Sequence, residues 1–367
     1  MLIYLSVISV ASILCLWSEK SYKKGELFVS GFSTFLSVMV LAVFSGLRNL
    51  SVGIDITTYG KNIFETVSTF GPSVAIDYYS RWSDTGYVLF NYIVSFFTGD
   101  IHIFLGVSTF VVELSFLLFF KRYRAVLDPT LSFFIFNVVT LAYSFSILRQ
   151  ILSMAIIIWV YYLLTKGKYL GAILLAIGSV LIHKSAVFII LIIFTCYVIT
   201  KFKEKINQRY LLLLMILFTL LSTIILTRYP EAIDNLIDDL NISSIQLNNF
   251  GSPMRFILFL FPVLLMKILI KEKFIQNNEE YFLYLISLIT MSFGWLGGIN
   301  YSLTRLTYFI IPIYILFISK KLKIINKKSV NLVVIFWFFF IFWWLIGRGS
   351  EGGVIPYIPF WKEYIVF

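Results

Sequence analysis

Long apolar runs separated by short polar segments dominate the pattern of hydrophobic and polar positions in this chain. Runs of about 20 apolar residues, the length that an α-helix needs to cross a membrane, recur throughout it. They lie near positions 2–17, 28–47, 102–120, 129–145, 147–165, 169–183, 185–200, 210–227, 254–270, 281–298, 303–319 and 330–346. The pattern therefore predicts an all-α polytopic membrane protein with about 12 transmembrane helices.

Composition agrees with this prediction. Of the 367 residues, 59% are hydrophobic and 13% are charged, with a mean hydropathy of +0.91, which excludes an ordinary soluble domain with about 25% charged residues. The net charge of +11 comes from Lys and Arg residues in short loops between apolar runs, a distribution typical of membrane proteins and not of nucleic-acid binding. Cys15 and Cys196 lie inside apolar runs without metal or disulfide spacing, so we interpret them as packing residues. We expect a single integral membrane domain over residues 1–367.

The basic loops fall at every second junction between apolar runs, and the positive-inside rule places them in the cytoplasm. The opposite junctions then lie outside, as the outer loops 48–101 and 228–253 and the outer C-terminal tail 347–367. Residues 84–97 are apolar but too short to span a membrane, so we predict an interfacial or re-entrant helix on the outer face. The loop 228–253 is locally acidic and could form a short amphipathic helix.

Four arginines occupy outer ends of predicted spans, where topology does not explain them: Arg48, Arg149, Arg255 and Arg305. A charge at bilayer depth costs about 2.5 to 3.5 kcal/mol, and less near the interface, so such arginines call for compensation. A multiply charged phosphate ligand would supply it, because guanidinium groups donate bidentate hydrogen bonds and stay protonated. Alternatively, each arginine reaches outer lipid headgroups or pairs with a loop carboxylate.

Three outer residues are candidates for proton transfer: His183, Asp55 and Asp84. Any of them could take the proton of an attacking hydroxyl group. Each also has a structural alternative. His183 could be a hydrogen-bonded histidine at a helix end, Asp55 an N-cap for a short helix beginning near Ile56, and Asp84 an N-cap for the interfacial helix. The spacing of His residues and the absence of HExxH or CxxC patterns argue against a metal site.

The segment 144–185 contains two apolar helices joined by the basic turn Lys166-Gly167-Lys168. About 16 residues separate Arg149 from this turn, and about 15 separate the turn from His183. Because the rise per residue of a helix is constant, the spacing predicts Arg149 and His183 at the same end and level of a helical hairpin.

Polar and aromatic residues near these outer ends are candidates for sugar contacts: Gln150, Tyr59, Tyr87, Asn91, Tyr301 and Tyr308. Tyr301, Arg305 and Tyr308 share one helix face by their spacing. For Tyr301 and Tyr308, the alternative is the aromatic belt that lines membrane interfaces.

These motifs, in their order, resemble the EpsG family of polytopic bacterial proteins, relatives of the Wzy polymerases of O-antigen and capsule synthesis. The matching elements are Gly46-Leu47-Arg48-Asn49 with Gly53 and Asp55; Asp84 with Gly86, Tyr87 and Asn91; Ser144 with Arg149, Gln150 and Ala155; and His183 with Ser185 and Ala186. They cover roughly the first 190 residues, and the later half is similar only in its arginines.

The resemblance implies a GT-C-like glycosyltransferase in the bacterial cytoplasmic (inner) membrane. Such an enzyme polymerises O-antigen, capsule or exopolysaccharide repeats on the outer face, with undecaprenyl-diphosphate-linked glycans as donor and acceptor. It would need no cofactor, and a flippase, a chain-length regulator and membrane lipid would be its partners. Two competing functions are a lipid-linked glycan flippase and an O-antigen ligase-type transferase.

Overall fold

The computed structural model describes residues 1–79, 85–201, 253–296, 301–348 and 351–362. Of these residues, 84% are helical, and the described ranges contain no strand. By internal contacts the chain divides into two compact units. The first unit comprises Met1–Val160, Tyr169–Ala186 and Lys328–Phe367, and the second comprises Tyr161–Lys168 and Val187–Lys327.

Long helices form the body of the first unit. They are α1 (Leu2–Lys23), α2 (Leu27–Gly46), α6 (Ile101–Arg122), α7 (Pro129–Ser144), α8 (Leu148–Thr165), α9 (Tyr169–Ile182) and α14 (Lys328–Phe342), which runs into a π-helical turn, Trp343–Arg348. Side-chain caps fix two of their starts: Asp100 accepts from the backbone N–H of His102 (2.7 Å), and Asp128 from that of Thr130 (2.9 Å). α1, α2 and α6 pack side by side, so their ends define two opposite ends of this unit.

Short helices fill the loop between α2 and α6. A π-helical turn, Ile56–Lys61, continues into α3 (Asn62–Phe70), which is followed by α4 (Pro72–Tyr79) and α5 (Thr85–Ser95). α5 has 11 residues, about 16 Å of helix, which is too short to cross a hydrocarbon core of about 30 Å. The helix is therefore as short as predicted, and its interfacial position on the outer face stays a prediction.

The second unit contains most of α10 (Ala186–Lys201), then α11 (Pro253–Ile270), a 3₁₀ turn (Lys271–Phe274), α12 (Asn278–Leu296) and α13 (Tyr301–Ile325). Helices α12 and α13 are antiparallel. A buried ion pair between Lys321 and Glu280 (2.8 Å) joins them at one end.

Five described helices are long and apolar enough to cross a membrane: α1, α2, α6, α8 and the continuous stretch Lys328–Arg348. α7, α9 and α10 are apolar but shorter. Large apolar side chains such as Phe28 (85% exposed) and Leu170 (73% exposed) lie uncovered on the surface of these helices, as expected of residues that contact lipid. The apolar helices indicate a membrane protein, while the predicted count of 12 spans is not confirmed; the span near 210–227 lies outside the described residues.

Candidate functional site

Arg48 lies just beyond the end of α2 and is fully buried. Its Nη1 donates to the carbonyl oxygen of Ser45 (2.8 Å) and to the hydroxyl of the same residue, and its guanidinium lies 4.1 Å from the centre of the Phe145 ring. Its Nε and Nη2 make no hydrogen bond to any described residue. The guanidinium therefore keeps unused donors inside the protein.

The charge of Arg48 also has no paired carboxylate among the described residues. Burial lowers the pKa of Arg48 to about 10, and the neighbouring hydroxyls of Tyr4, Tyr357 and Tyr87 oppose that shift. The guanidinium thus stays protonated at neutral pH. No carboxylate pairs with it among the described ion pairs, so a cation without an anion occupies this site.

The loop after Arg48 docks tightly on the connection between α7 and α8. Gly53 has φ +114°, and a Cβ there would lie 2.5 Å from the carbonyl oxygen of Phe145. The next residue, Ile54, donates its N–H to the Ser146 hydroxyl (3.2 Å). Only glycine fits this backbone conformation at such a close approach, which explains the residue at this position.

Asp55 comes directly before the π-helical turn, so a short helix does begin at Ile56 as one reading of the sequence predicted. Its side chain makes no capping hydrogen bond, however, and the proposed N-cap role is wrong. The carboxylate is half-buried and lies close enough to Tyr87 to influence the hydroxyl of that residue electrostatically. Asp55 therefore belongs to the same cluster as Tyr87.

Tyr59 joins this loop to Arg149. The Arg149 guanidinium stacks over the Tyr59 ring at 3.7 Å, and the Tyr87 hydroxyl donates to the Tyr59 carbonyl (2.9 Å). Tyr87 is fully buried, and its own carbonyl accepts from Nδ2 of Asn91 (2.7 Å). Of the predicted sugar contacts, Tyr59, Tyr87 and Asn91 thus lie in one cluster with Arg149. Tyr87 and Asn91 are buried, so they support the other side chains of this cluster.

The hairpin of α8 and α9 places Arg149 and His183 level with each other, as the spacing predicted. The Ser153 hydroxyl donates to the carbonyl of Ser179 (3.0 Å), and these residues lie four positions from Arg149 and His183, respectively. Gly86 brings α5 against the same end, since a Cβ there would lie 2.8 Å from the Leu181 carbonyl oxygen. His183 is half-buried.

The remaining candidates are distributed as follows. Gln150 is buried on α8. Asp84 and the side chain of Tyr301 lie outside the described residues. In the second unit, Arg255 lies in the first turn of α11, and its carbonyl lies against Gly294 of α12. On α13, Arg305 is half-buried and Tyr308 is buried. Because the Tyr314 hydroxyl donates to the Phe259 carbonyl (2.7 Å), α11 and α13 pack with both arginines towards one end of this unit.

Comparison with known proteins identifies the family. The model of the EpsG family matches residues 32–358. The chain belongs to the EpsG family. No curated protein and no solved structure matches it.

The EpsG match begins within α2 and ends at Ile358, so it contains every candidate residue named above and part of a C-terminal segment that the sequence reasoning left without a role. In that segment, the Tyr357 hydroxyl donates to the Phe44 carbonyl (2.8 Å), beside Arg48. The signal in the sequence was its density of glycine, proline and aromatic residues.

The sequence reasoning also passed over Glu113 in this EpsG-family chain. It lies in the middle of α6, is 1% exposed and lies near the side chain of Asn137 on α7. A single acid within an apolar span was the signal that could have found it. Across the described ranges, no group of three or more His, Cys, Asp or Glu side chains could hold a metal ion, and both Cys15 and Cys196 are buried and free.

Proposed function

We propose that this EpsG-family chain is a glycosyltransferase that polymerises undecaprenyl-diphosphate-linked oligosaccharide repeats on the outer face of the bacterial cytoplasmic membrane. Membership of the EpsG family and the apolar helices support a membrane glycan polymerase in general. The observation that carries the specific proposal is Arg48, a buried guanidinium with two nitrogen atoms unpartnered among the described residues and with no paired carboxylate.

A diphosphate is the anion that suits this site. Its oxygens can accept from Nε and Nη2 of Arg48, and each such charge-assisted hydrogen bond is worth about 1.5–3 kcal/mol. Negative charge on the diphosphate grows as the bond to the sugar breaks. A guanidinium that is already in place and shielded from water stabilises that charge more in the transition state than in the ground state.

Arg149 is the second proposed diphosphate ligand. Tyr59 holds its guanidinium from one side, at 3.7 Å, and Tyr87 fixes Tyr59 by a hydrogen bond to its carbonyl. This arrangement restricts the rotamers of a long side chain before a ligand arrives, and pre-organisation of that kind lowers the cost of binding. Arg255 and Arg305 of the second unit are proposed diphosphate ligands on sequence grounds.

In the proposed reaction, a hydroxyl of the acceptor sugar attacks the anomeric carbon of the donor. The new carbon–oxygen bond forms as the bond between that carbon and the diphosphate oxygen breaks, and the diphosphate leaves with both electrons. The hydroxyl proton passes to a base, for which Asp55, His183 and Asp84 are the candidates. Gln150, Asn91 and the tyrosines Tyr59, Tyr87, Tyr301 and Tyr308 are the proposed sugar contacts.

The proposal includes a 12-span, GT-C-like arrangement with the Arg48 end outside. The positive-inside distribution of Lys and Arg supports the orientation, the apolar runs support the number of spans, and the resemblance to the EpsG family implies the GT-C-like arrangement. The donor would then reach the site after a flippase has moved it across the membrane, and a chain-length regulator would act on the product. The proposed substrates are the donor and acceptor glycans linked to undecaprenyl diphosphate, and membrane lipid surrounds the protein.

The decisive experiment is extension of a purified undecaprenyl-diphosphate repeat by the purified protein, with and without a chelator. We expect products of several repeats in both conditions from the wild type, and single repeats only from Arg149→Ala and Arg305→Ala at normal abundance. Full-length polymer from both variants would overturn the diphosphate role of these residues. Transport of the repeat without extension would favour a flippase, and transfer to a non-lipid-linked acceptor would favour a ligase.

A further inference from the structure

The C-terminal segment, residues 351–362, lies along the loop that carries Arg48. The backbone N–H of Asn49 donates to the Ile358 carbonyl (2.7 Å), and that of Phe360 to the Leu47 carbonyl (2.8 Å). Arg48 and Pro359 therefore lie opposite each other in an isolated antiparallel bridge. Further along, the N–H of Gly53 donates to the Gly353 carbonyl (3.0 Å).

Two tyrosines fasten the same segment to the ends of the long helices. The Tyr4 hydroxyl of α1 donates to the Val354 carbonyl (2.7 Å). The Tyr357 ring stacks on Phe44 of α2, with 4.2 Å between ring centres and 13° between planes, and its hydroxyl donates to the Phe44 carbonyl. The segment thus covers the end of the helix bundle immediately next to Arg48.

This cover conflicts with the ligand chemistry of Arg48. The side chain is 0% exposed, yet its Nε and Nη2 have no described partner. Pro359 lies opposite Arg48, and Tyr357 lies close enough to influence its guanidinium electrostatically, so movement of residues 351–362 would open a route to these donors. Conversely, Ser45 and Phe145 contact the guanidinium from α2 and from the α7–α8 connection, which belong to the packed helices and cannot move aside easily.

We propose that residues 351–362 form a lid over Arg48, which opens to admit the diphosphate-bearing lipid and closes again over the bound ligand. This inference rests on the proposed diphosphate-binding function of Arg48. Backbone hydrogen bonds attach the lid along one edge, side-chain hydrogen bonds from Tyr4, Ser146 and Tyr357 add to them, and Phe360 and Trp361 are 46% and 62% exposed. Opening the lid therefore breaks these hydrogen bonds and the stack of Tyr357 on Phe44, and binding of the diphosphate would offset that cost.

A closed lid also gives the reaction a dry site. Water at Arg48 would screen its charge and could attack the donor sugar in place of the acceptor hydroxyl. With the lid closed over the diphosphate, the two unpartnered nitrogens would find acceptors and the ligand would lose contact with bulk water. The lid then couples binding of the correct lipid-linked glycan to completion of the site.

A disulfide across the lid edge tests this proposal. Leu47 and Phe360 are opposite each other, and both side chains are partly exposed (37% and 46%). Hydrogen-bonded antiparallel pairs lie about 5.5 Å apart at Cα, within the range that a disulfide can bridge. We expect the oxidised Leu47→Cys/Phe360→Cys protein to extend glycans at least about tenfold more slowly than the wild type, and reduction to restore the rate. The two single variants, oxidised in the same way, are the controls for Cys15 and Cys196.

The outcomes separate the lid from the function. If the cross-linked protein extends normally while Arg48→Met does not, the lid is overturned and the proposed function stands. If both extend normally, the diphosphate role of Arg48 fails and the lid fails with it. Loss of activity on oxidation that reduction restores, together with loss in Arg48→Met, supports both.

A measurement without turnover covers the case in which the double variant inserts poorly. The variant Val354→Cys, at a side chain that is 0% exposed while the lid is closed, is labelled with a maleimide in the presence and absence of undecaprenyl diphosphate. Tyr357→Phe in that background keeps the ring stack and removes one hydrogen bond, worth about 1 kcal/mol, so labelling should be about fivefold faster. Labelling that changes neither with Tyr357→Phe nor with undecaprenyl diphosphate would overturn the lid.

Discussion

Two buried cations lie at opposite ends of the first unit, and they differ in the carboxylates and hydrogen-bond acceptors around them. Lys121, at the end of α6, is 8% exposed; its Nζ lies 3.5 Å from a carboxylate oxygen of Glu19 and donates to the hydroxyls of Ser18 (2.7 Å) and Thr34 (2.6 Å). Arg48, at the end of α2, is fully enclosed, and the described residues offer it no carboxylate and leave two of its nitrogens unpartnered.

With the proposed function, this difference distinguishes a structural cation, Lys121, from a ligand-binding one, Arg48. A buried charge costs several kcal/mol unless an opposite charge and hydrogen bonds offset its desolvation. The chain supplies that offset at Lys121, and again in the second unit, where Lys321 pairs with Glu280 at 2.8 Å. At Arg48 the described residues supply a carbonyl, a hydroxyl and an aromatic face, and in the proposed function a diphosphate supplies the offsetting anion.

The largest expected effect comes from removing the carboxylate that pairs with Lys121, which leaves this cation without a paired carboxylate, as at Arg48. Glu19→Gln removes the carboxylate that faces Lys121 and also Arg124 (3.4 Å), and we expect the free energy of unfolding in detergent to fall by about 3–5 kcal/mol. Glu65→Gln is the matched control, because its pair with Lys61 (3.9 Å) is exposed and worth about 0.3–0.5 kcal/mol. Equal melting temperatures for the two variants would contradict the structural role of the Glu19 carboxylate.

The reverse change removes the unpaired cation. Arg48→Met keeps the volume against Phe145 and leaves no buried anion behind, so we expect no loss of stability. The rate of glycan extension should fall about 10²- to 10³-fold, the effect of removing one donor to a developing negative charge. Arg48→Lys should not rescue it, because an ammonium lacks the planar fork of a guanidinium. A variant that unfolds instead of losing activity would make Arg48 structural, like Lys121.

The docking of the Arg48 loop gives an intermediate effect. In Gly53→Ala, the new Cβ would meet the Phe145 carbonyl oxygen at 2.5 Å at a φ of +114°, and such strain costs of order 1–3 kcal/mol. The loop should then detach from the α7–α8 connection locally, which faster hydrogen exchange at Ile54 would report. Gly71→Ala, at φ +82° with no atom within 4 Å, separates backbone strain from the clash.

The smallest effect concerns Arg149. Tyr59→Leu keeps an apolar side chain but removes the ring under the guanidinium, a contact worth about 0.5–1 kcal/mol in a partly exposed site. We expect a two- to fivefold rise in KM for the lipid-linked donor, with kcat changed less. An unchanged KM would show that Tyr59 does not hold Arg149 in its binding position.

The sequence predicted the features that depend on local periodicity. The level of Arg149 and His183 follows from the constant rise of two helices joined by a short turn, and the hydrogen bond from Ser153 to Ser179 confirms it. The short helix beginning at Ile56 also follows from local signals. Membership of the EpsG family could be inferred because its motifs lie in order along one half of the chain.

Features that depend on contacts between distant residues could not be predicted. The surroundings of Arg48 include Tyr357, whose hydrogen-bond partner Phe44 lies 313 residues away in the sequence. A composition rich in turn-forming residues does not predict where the C-terminal segment packs. The stacking of Arg149 on Tyr59 depends on the docking of the loop at Gly53. A helical repeat predicts the height of a side chain along the helix, but it does not predict which loop packs against that side chain. The capping role considered for Asp55 was wrong, since its side chain makes no capping hydrogen bond, and its carboxylate instead influences Tyr87 electrostatically.

The central claim is that Arg48 lacks its anion because a diphosphate supplies it. The most direct measurement is equilibrium binding of undecaprenyl diphosphate and undecaprenyl monophosphate to the purified wild type and to Arg48→Met. We predict that the variant binds the diphosphate about 10- to 100-fold more weakly, as the loss of one or two charge-assisted hydrogen bonds requires, while binding of the monophosphate changes less. Equal affinity of both proteins for the diphosphate would contradict the account.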